Sequence, residues 1–505
     1  MNTKLLVAIC CFAGSWLVQD VKADEAPVSK DALFDIEPAK ESAGKPVSKA
    51  NDGLPASKDD LFALEPKDGK ETETGVAKRD DLAGSRDALL ADADMPLLKI
   101  KEEAPPPSWR GFMQTELAYS YSDPEHWSKM MGRLELGKSG GFSQGMRWKI
   151  SGRINYNLVY DLTDYYSKAV RDDQRAELEL RETYLDFTTG ALDWRVGRQH
   201  VVWGEMVGLF FADVVSAKDL REFVLPDFQT LRIPQWAARA EYFSDDFHAE
   251  LIWIPLPSYD RIGKPGAEFY PYPPTPPGVT AAFASESKPG IGLDNTNYGA
   301  RFSKLINGWD VAGFYYRSTD SMATFYRDIV AGPTFVYRPR HDRIWQTGGT
   351  LAKDMGPFVL KGEVIYTDGR KYSVTDITDP DGVAVQDTVD WVLGFDFNLA
   401  SDTRINTQLF QRIYLDHNPH IIPEQHENGA SLLINHKFGR GWEAEALLIS
   451  SLNRTDWLLR PRLGWAFQPN WKLSLGADVF HGPPTGLFGQ FNGRDRIYAE
   501  LRHDF

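Results

Sequence analysis

The chain has 505 residues and a formal net charge of −15, with 15 Trp, 20 Tyr and 28 Phe, and 25% charged residues. Residues 24–105 carry 20 acidic against 12 basic residues, whereas the long C-terminal part is nearly balanced for its size, so nothing points to nucleic-acid binding. Cys10 and Cys11 are the only cysteines and both lie near the start, which excludes a disulfide framework or thiolate metal site in the rest of the chain.

Lys4, the apolar stretch Leu5 to Val18 and the small-residue pattern Val21-Lys22-Ala23 read as a secretory signal peptide over 1–23, cleaved after Ala23. The apolar run is too brief to span a bilayer, and Ile9 before Cys10 fits a lipoprotein site badly. Residues 24–108 are rich in Lys, Asp, Glu, Ala and Pro and poor in aromatics. Such a segment cannot bury a core and is expected to be a disordered periplasmic tail.

Within this tail Ser29-Lys30-Asp31-Ala32-Leu33-Phe34-Asp35-Ile36-Glu37-Pro38 matches Ser57-Lys58-Asp59-Asp60-Leu61-Phe62-Ala63-Leu64-Glu65-Pro66, and Ser85-Arg86-Asp87-Ala88-Leu89-Leu90 is a weaker third copy. The spacing, 28 residues each time, is too sparse for a solenoid. One reading is a duplicated spacer without a ligand. The other is a set of motifs that offer Leu33, Phe34, Leu61, Phe62, Leu89 and Leu90 to a periplasmic or inner-membrane transport partner, with avidity from repetition.

Pro105-Pro106-Pro107 ends the tail and Trp109 opens a 109–505 domain of two-residue alternation. Trp391, Leu393, Phe395 and Phe397 oppose Asp390, Gly394, Asp396 and Asn398; Trp471, Leu473, Leu475, Ala477 and Val479 oppose Lys472, Ser474 and Asp478. Strands are predicted to start near 110, 129, 146, 175, 191, 235, 247, 297, 308, 341, 356, 386, 403, 427, 441, 456, 470 and 494. Tight turns such as Thr189-Gly190-Ala191, Ile306-Asn307-Gly308 and Asp354-Met355-Gly356 alternate with long connections over about 161–174, 200–234, 256–296, 319–340, 369–385, 416–426 and 482–493. No apolar run is long enough for a membrane helix.

An apolar and a polar face per strand, with short turns facing long loops, predict an all-β fold, a transmembrane antiparallel β-barrel of about 18 strands. The even count places both barrel ends on the periplasmic side. The final strand puts Ile497, Ala499, Leu501, His503 and Phe505 on one face. A terminal Phe on such a strand resembles the signal read by the barrel assembly machinery, so Phe505 is the expected assembly signal.

The densest constellation of charge runs from Arg181 to Glu241. Arg181-Glu182-Thr183-Tyr184-Leu185-Asp186, Gly197-Arg198-Gln199, Trp203-Gly204-Glu205 and Ala212-Asp213-Val214-Val215-Ser216-Ala217-Lys218-Asp219-Leu220 resemble an outer-membrane family, the domain of unknown function 1302. That resemblance implies an outer-membrane pore and no defined substrate. More loosely, the strand count and Gly-Arg-Gln are similar to the alginate-export porins, but mixed charge here speaks against export of a polyanion.

By alternation Arg195, Arg239 and Glu241 face the lumen. Together with Glu182, Asp186, Arg198, Glu205, Asp213, Asp219, Arg221 and Arg232 they form the expected lumen and constriction set. Such charges set selectivity or simply pair across strands; the two readings coexist. Asp213 to Phe223 has apolar spacing for one or two helical turns, in a loop that either folds inward as a constriction or caps the mouth. Pro271-Tyr272-Pro273-Pro274-Thr275-Pro276-Pro277 should be extended polyproline. Asp376, Asp379 and Asp381-Gly382 miss the EF-hand spacing and read as a polar turn rather than a Ca²⁺ site.

Enzyme motifs are missing, the histidines show no ligand spacing, and no cofactor or metal is expected. The expected function is a monomeric outer-membrane pore, exporting a polymer or a lipid-like or small organic substrate. An uptake porin for a small solute or siderophore is the alternative, and an outer-membrane enzyme or structural barrel the next. The expected contacts are outer-membrane lipids, the assembly machinery and the tail's partner.

Overall fold

The computed structural model describes residues 109–142, 145–204, 206, 212–330, 334–399 and 402–505. The expected signal peptide over 1–23, the expected tail over 24–108 with Leu33, Phe34, Leu61, Phe62, Leu89 and Leu90, and Glu205 lie outside the described residues.

Eighteen strands form the wall. They are β1 (Trp109–Ser120), β2 (His126–Gly141), β3 (Arg147–Asn157), β4 (Ala176–Thr189), β5 (Leu192–Gln199) and β6 (Gln235–Ser244). Next come β7 (Phe247–Leu256), β8 (Asn297–Ile306), β9 (Trp309–Thr319), β10 (Arg343–Asp354), β11 (Val359–Asp368) and β12 (Thr388–Leu399). The last are β13 (Thr403–Tyr414), β14 (His426–Gly439), β15 (Trp442–Ser451), β16 (Trp457–Gln468), β17 (Trp471–His481) and β18 (Arg496–Asp504). Each starts within three residues of its predicted position.

Every strand pairs antiparallel with its neighbours in sequence, and β1 pairs with β18, so the sheet closes without an edge. Closure is what lets a sheet stand in lipid, where unpaired backbone groups have no water to turn to. The seam runs to the last residue: Phe505 N–H donates to Gly111 O at 2.9 Å and Gly111 N–H to Phe505 O at 2.8 Å.

The alternation resolves as an apolar outside and a polar inside. On β18 and just past its end, Ile497, Leu501 and Phe505 point out, while Arg496 and Glu500 are buried in the lumen. Aromatic pairs ring the short-turn rim, among them Phe187–Trp194, Phe247–Phe302 and Trp442–Trp465. Tyr119–Trp127, Tyr315–Trp345 and Trp345–Tyr366 do the same at the other rim. Two such girdles mark the interfaces of an outer-membrane barrel.

Turn chemistry sorts the connections. Asn307 and Gly308 both have positive φ, 52° and 77°, the type I′ hairpin that Asn-Gly adopts most readily. At the opposite rim the long loops interlock: Thr280–Phe283 of the 257–296 loop adds in parallel to the hairpin Thr324–Val330 and Thr334–Arg340. The proline-rich stretch packs on this sheet, with the Tyr337 hydroxyl donating to Pro274 O at 2.8 Å.

Deleting Phe505 removes two ladder hydrogen bonds and one lipid-facing ring from the seam, at a cost of about 2 kcal/mol for the bonds alone. A lower urea midpoint for the heat-modifiable, folded band on gels is the expected outcome.

Candidate functional site

The backbone of a loop inside a barrel must find partners for each N–H and C=O it buries. The 200–234 loop leaves β5 and finds them on opposite walls. Glu363, buried on the inner face of β11, accepts from Met206 N–H at 3.1 Å and Ala212 N–H at 2.9 Å. Across the lumen, guanidinium groups take the carbonyls. Arg181 on β4 donates to Gln229 O (2.7 Å) and Arg232 O (3.0 Å). Arg153 on β3 donates to Thr230 O at 3.2 Å, and Arg460 on β16 to Leu225 O at 2.7 Å. The loop therefore crosses the lumen rather than merely capping it.

Side chains reinforce the crossing. Trp203 is buried among Ile252, Ile254, Phe314 and Tyr316, and its indole N–H donates to Glu250 at 3.0 Å. Glu222 meets Lys129 at 2.7 Å and Arg496 at 3.7 Å. Arg496 and Arg460 both contact Asp478 at 2.8 Å. Leu225 joins Phe269, Leu458, Phe480, Phe488 and Phe491 in an apolar cluster at the long-loop end. A cavity of about 70 Å³ persists beside the loop, lined by Lys129, Arg133, Arg153 and Glu222 among others.

The predicted lumen residues fall into two groups. On the wall near the short turns, Arg195 meets Asp186 at 2.7 Å and lies over the Tyr184 ring, Lys149 meets Glu182 at 2.6 Å, and Arg239 meets Glu241 at 3.0 Å. Arg195 and Arg239 are direct cross-strand neighbours, each with its own carboxylate beside it, Asp186 and Glu241, so this half carries mixed charge. The second group holds the loop: Asp213 pairs with Arg232 at 2.8 Å, and Arg221 pairs with Asp219 and reaches Glu177 at 2.6 Å. Burial opposes ionisation of Asp219, but Arg221 and Arg261 hold its carboxyl below the usual range.

Arg198 sits where strict alternation would turn it outward, yet its guanidinium lies 3.7 Å from the lumenal Glu179. Gly197 makes this possible. Its φ is +135°, and a Cβ there would stand 2.3 Å from Thr183 O.

Two sequence expectations change. The segment from Asp213 to Phe223 is not helical: Ala217–Lys218 pairs with Arg232–Ile233, and only Leu220–Glu222 makes a 3-10 turn. Asp219 caps that turn by accepting from Arg221 N–H, and Phe223 at φ 53° ends it; backbone pairing within the loop outweighs the apolar spacing. Among the described residues the histidines do contribute one ligand-like grouping, Glu241, His248 and Glu250, whose ligand atoms lie within 4.8 Å of one another. They meet across β6 and β7, which linear spacing does not reveal. The guanidinium of Arg239 and the indole of Trp203 already engage its carboxylates, so the charge a metal would supply is present.

The aspartate turn behaves as a turn. Asp376 accepts from the N–H and hydroxyl of Thr378, Asp379 accepts from Gly382 N–H, and the buried Arg327 guanidinium takes the carbonyls of Asp376 and Asp379. Sequence reasoning missed Glu363, Arg153, Arg460 and Glu222. Glu363 left one legible trace, a single carboxylate on the polar face of a strand whose neighbours Val364 and Ile365 are apolar.

Replacing Glu363 by Ala strips the acceptor from Met206 and Ala212 N–H, each worth about 1–3 kcal/mol when left buried and unmet. The expected outcome is faster proteolysis within 200–234 and an unchanged heat-modifiable barrel.

No curated protein matches this chain. Among solved structures, Acinetobacter baumannii OccAB1 is similar with a TM-score of 0.51 at 9% identity, over 79% of this chain and 96% of that one. Pseudomonas aeruginosa OccK8 (OprE) follows with a TM-score of 0.48 at 10% identity, over 79% and 98%. At 9% identity the likeness to OccAB1 shows the fold, a closed β-barrel, and no more. The sequence profile described as a protein of unknown function, DUF1302, matches residues 129–504, and the chain belongs to that family.

Proposed function

We propose that the chain is a monomeric outer-membrane pore that moves an organic or polymeric solute through a lumen narrowed by the 200–234 loop. The observation that carries this reading is the loop itself. A wall whose guanidinium groups donate to its carbonyls on one side, and whose carboxylate accepts from its N–H groups on the other, holds a constriction in place. A merely structural barrel has no need of such a device.

In this reading the path runs past Asp186, Arg195, Arg239 and Glu241, and past Arg198. Mixed charge selects by hydrogen bonding and local charge rather than by a uniform field, which favours a solute carrying both polar and apolar groups over a polyanion. Short turns face the periplasm in outer-membrane barrels, which sets the long-loop mouth outside. The repeated Leu-Phe motifs of the tail then supply periplasmic docking sites for a transport partner, and on that ground export is favoured over uptake. Phe505 serves the assembly machinery as the terminal signal.

Purified full-length protein in planar bilayers should give small single-channel steps, enlarged severalfold when the 206–229 segment is replaced by a short Gly-Ser linker. Absence of steps from folded protein, with and without the loop, would sink the pore reading. Deleting 24–104 should leave the heat-modifiable barrel intact while abolishing capture of an envelope partner; unchanged capture refutes the docking role of the tail.

A further inference from the structure

The 257–296 loop backs the constriction directly. Arg261 N–H donates to Lys218 O at 2.9 Å and Leu220 N–H to Arg261 O at 2.8 Å, so the loop lies strand-like against the 200–234 segment. Two histidines outside that loop tie it down, each through a carboxylate the loop supplies. His126, at the long-loop end of β2, lies 3.1 Å from the Glu268 carboxylate through Nε2 and 2.7 Å from Pro124 O through Nδ1. His341, in the 320–342 loop, lies 2.9 Å from Glu286 through Nε2 and 2.9 Å from Asp320 O through Nδ1.

Both nitrogens of both rings therefore face oxygens. A backbone carbonyl only accepts, and so does an ionised carboxylate. Neutral imidazole carries one N–H and would point a lone pair at one of the two oxygens. Only the imidazolium satisfies both, whichever tautomer the neutral ring prefers.

The carboxylates are held ionised. Burial opposes the charge on Glu268, but its hydrogen bond with His126 and the Arg494 charge 3.7 Å away bring it below the usual carboxylate range. It also accepts from the Tyr166 hydroxyl at 2.9 Å. Glu286 is likewise lowered against its burial, by His341 and by Lys288 at 3.2 Å.

Among the described residues, the other carboxylates near the rings are bonded to other partners. Tyr165 stacks on His126 at 3.8 Å and its hydroxyl accepts from Arg494, while Glu125 beside His126 in the chain is bonded to the Tyr119 hydroxyl. Tyr259 lies 4.3 Å from the His341 ring. The carboxylates flanking His341 in this region are engaged elsewhere, Asp320 by Arg370 and Asp342 by Tyr326 and Lys371.

We propose that His126 and His341 are a pair of protonation-dependent latches that hold the 257–296 loop down on the constriction, tightening the pore in mild acid and loosening it in mild alkali. The gating consequence rests on the pore reading; the latch itself does not. The charged rings satisfy both oxygens and the neutral rings do not, so the contribution is present in mild acid and lost in mild alkali. On the acid side it is lost only as pH falls through the lowered range of Glu268 and Glu286.

Backbone hydrogen exchange of 257–296 in the full-length folded barrel, corrected for intrinsic rates, tests this together with bilayer conductance. Protection should fall on the order of tenfold between about pH 5.5 and about pH 8.5, with conductance rising in step. The double substitution His126→Gln and His341→Gln should leave the loop unprotected at both pH values. Heat-modifiable mobility reports whether that variant folds, and His341→Gln alone, with half the effect, serves if it does not. Equal protection at both pH values in the native protein, or a variant that keeps the native pH profile, overturns the latch. Loss of protection without any conductance supports the latch and removes the pore; steady conductance with flat protection does the reverse.

Discussion

A sheet that stands in lipid cannot keep an edge, and the rest of this molecule follows from that constraint. Pairing β1 with β18 through the final residue satisfies it and at once divides every strand into a lipid face and a lumen face. The lumen face then carries charge that has lost bulk water. It pays for this by pairing, as Asp186 with Arg195 and Asp478 with both Arg460 and Arg496 show. Removing one member of such a pair leaves the other buried and uncompensated, so the lumen is electrostatically interlocked.

The same logic explains how a loop can occupy the interior. A backbone entering the lumen brings unpaired N–H and C=O groups with it, and the wall meets them with side chains of matching polarity. Glu363 takes the N–H groups at one wall, while Arg153, Arg181 and Arg460 take the carbonyls at others. The loops above add apolar packing, with Phe269 of one loop and Leu225 of another in a single cluster. Constriction and cap are thus one connected layer, and a change at the outer rim at His126 or His341 reaches the 200–234 segment through Arg261 and its backbone bonds.

Most of the fold was legible before any coordinates, because the information lies in local periodicity. Alternation, turn residues and loop lengths are each read within a few residues, and they located all eighteen strands. Arg195, Arg239 and Glu241 face the lumen as parity requires. Arg198 does so against parity, because Gly197 adopts a backbone angle that no pattern count records. The apolar spacing of 213–223 suggested helical turns, and long-range backbone pairing with Arg232–Ile233 overrode it.

By itself the sequence determined the barrel, its strand order, a last strand running to Phe505 and the sorting of short and long connections, since a closed meander follows from nearest-neighbour pairing. Only the tertiary structure decided where the loop goes and what holds it. Glu363 and Arg153 stand on strands far apart in the chain and on opposed walls of the lumen, and His341 meets a carboxylate carried by another loop. Such meetings depend on the ring having closed, and no local pattern encodes which side chains will then face one another across it.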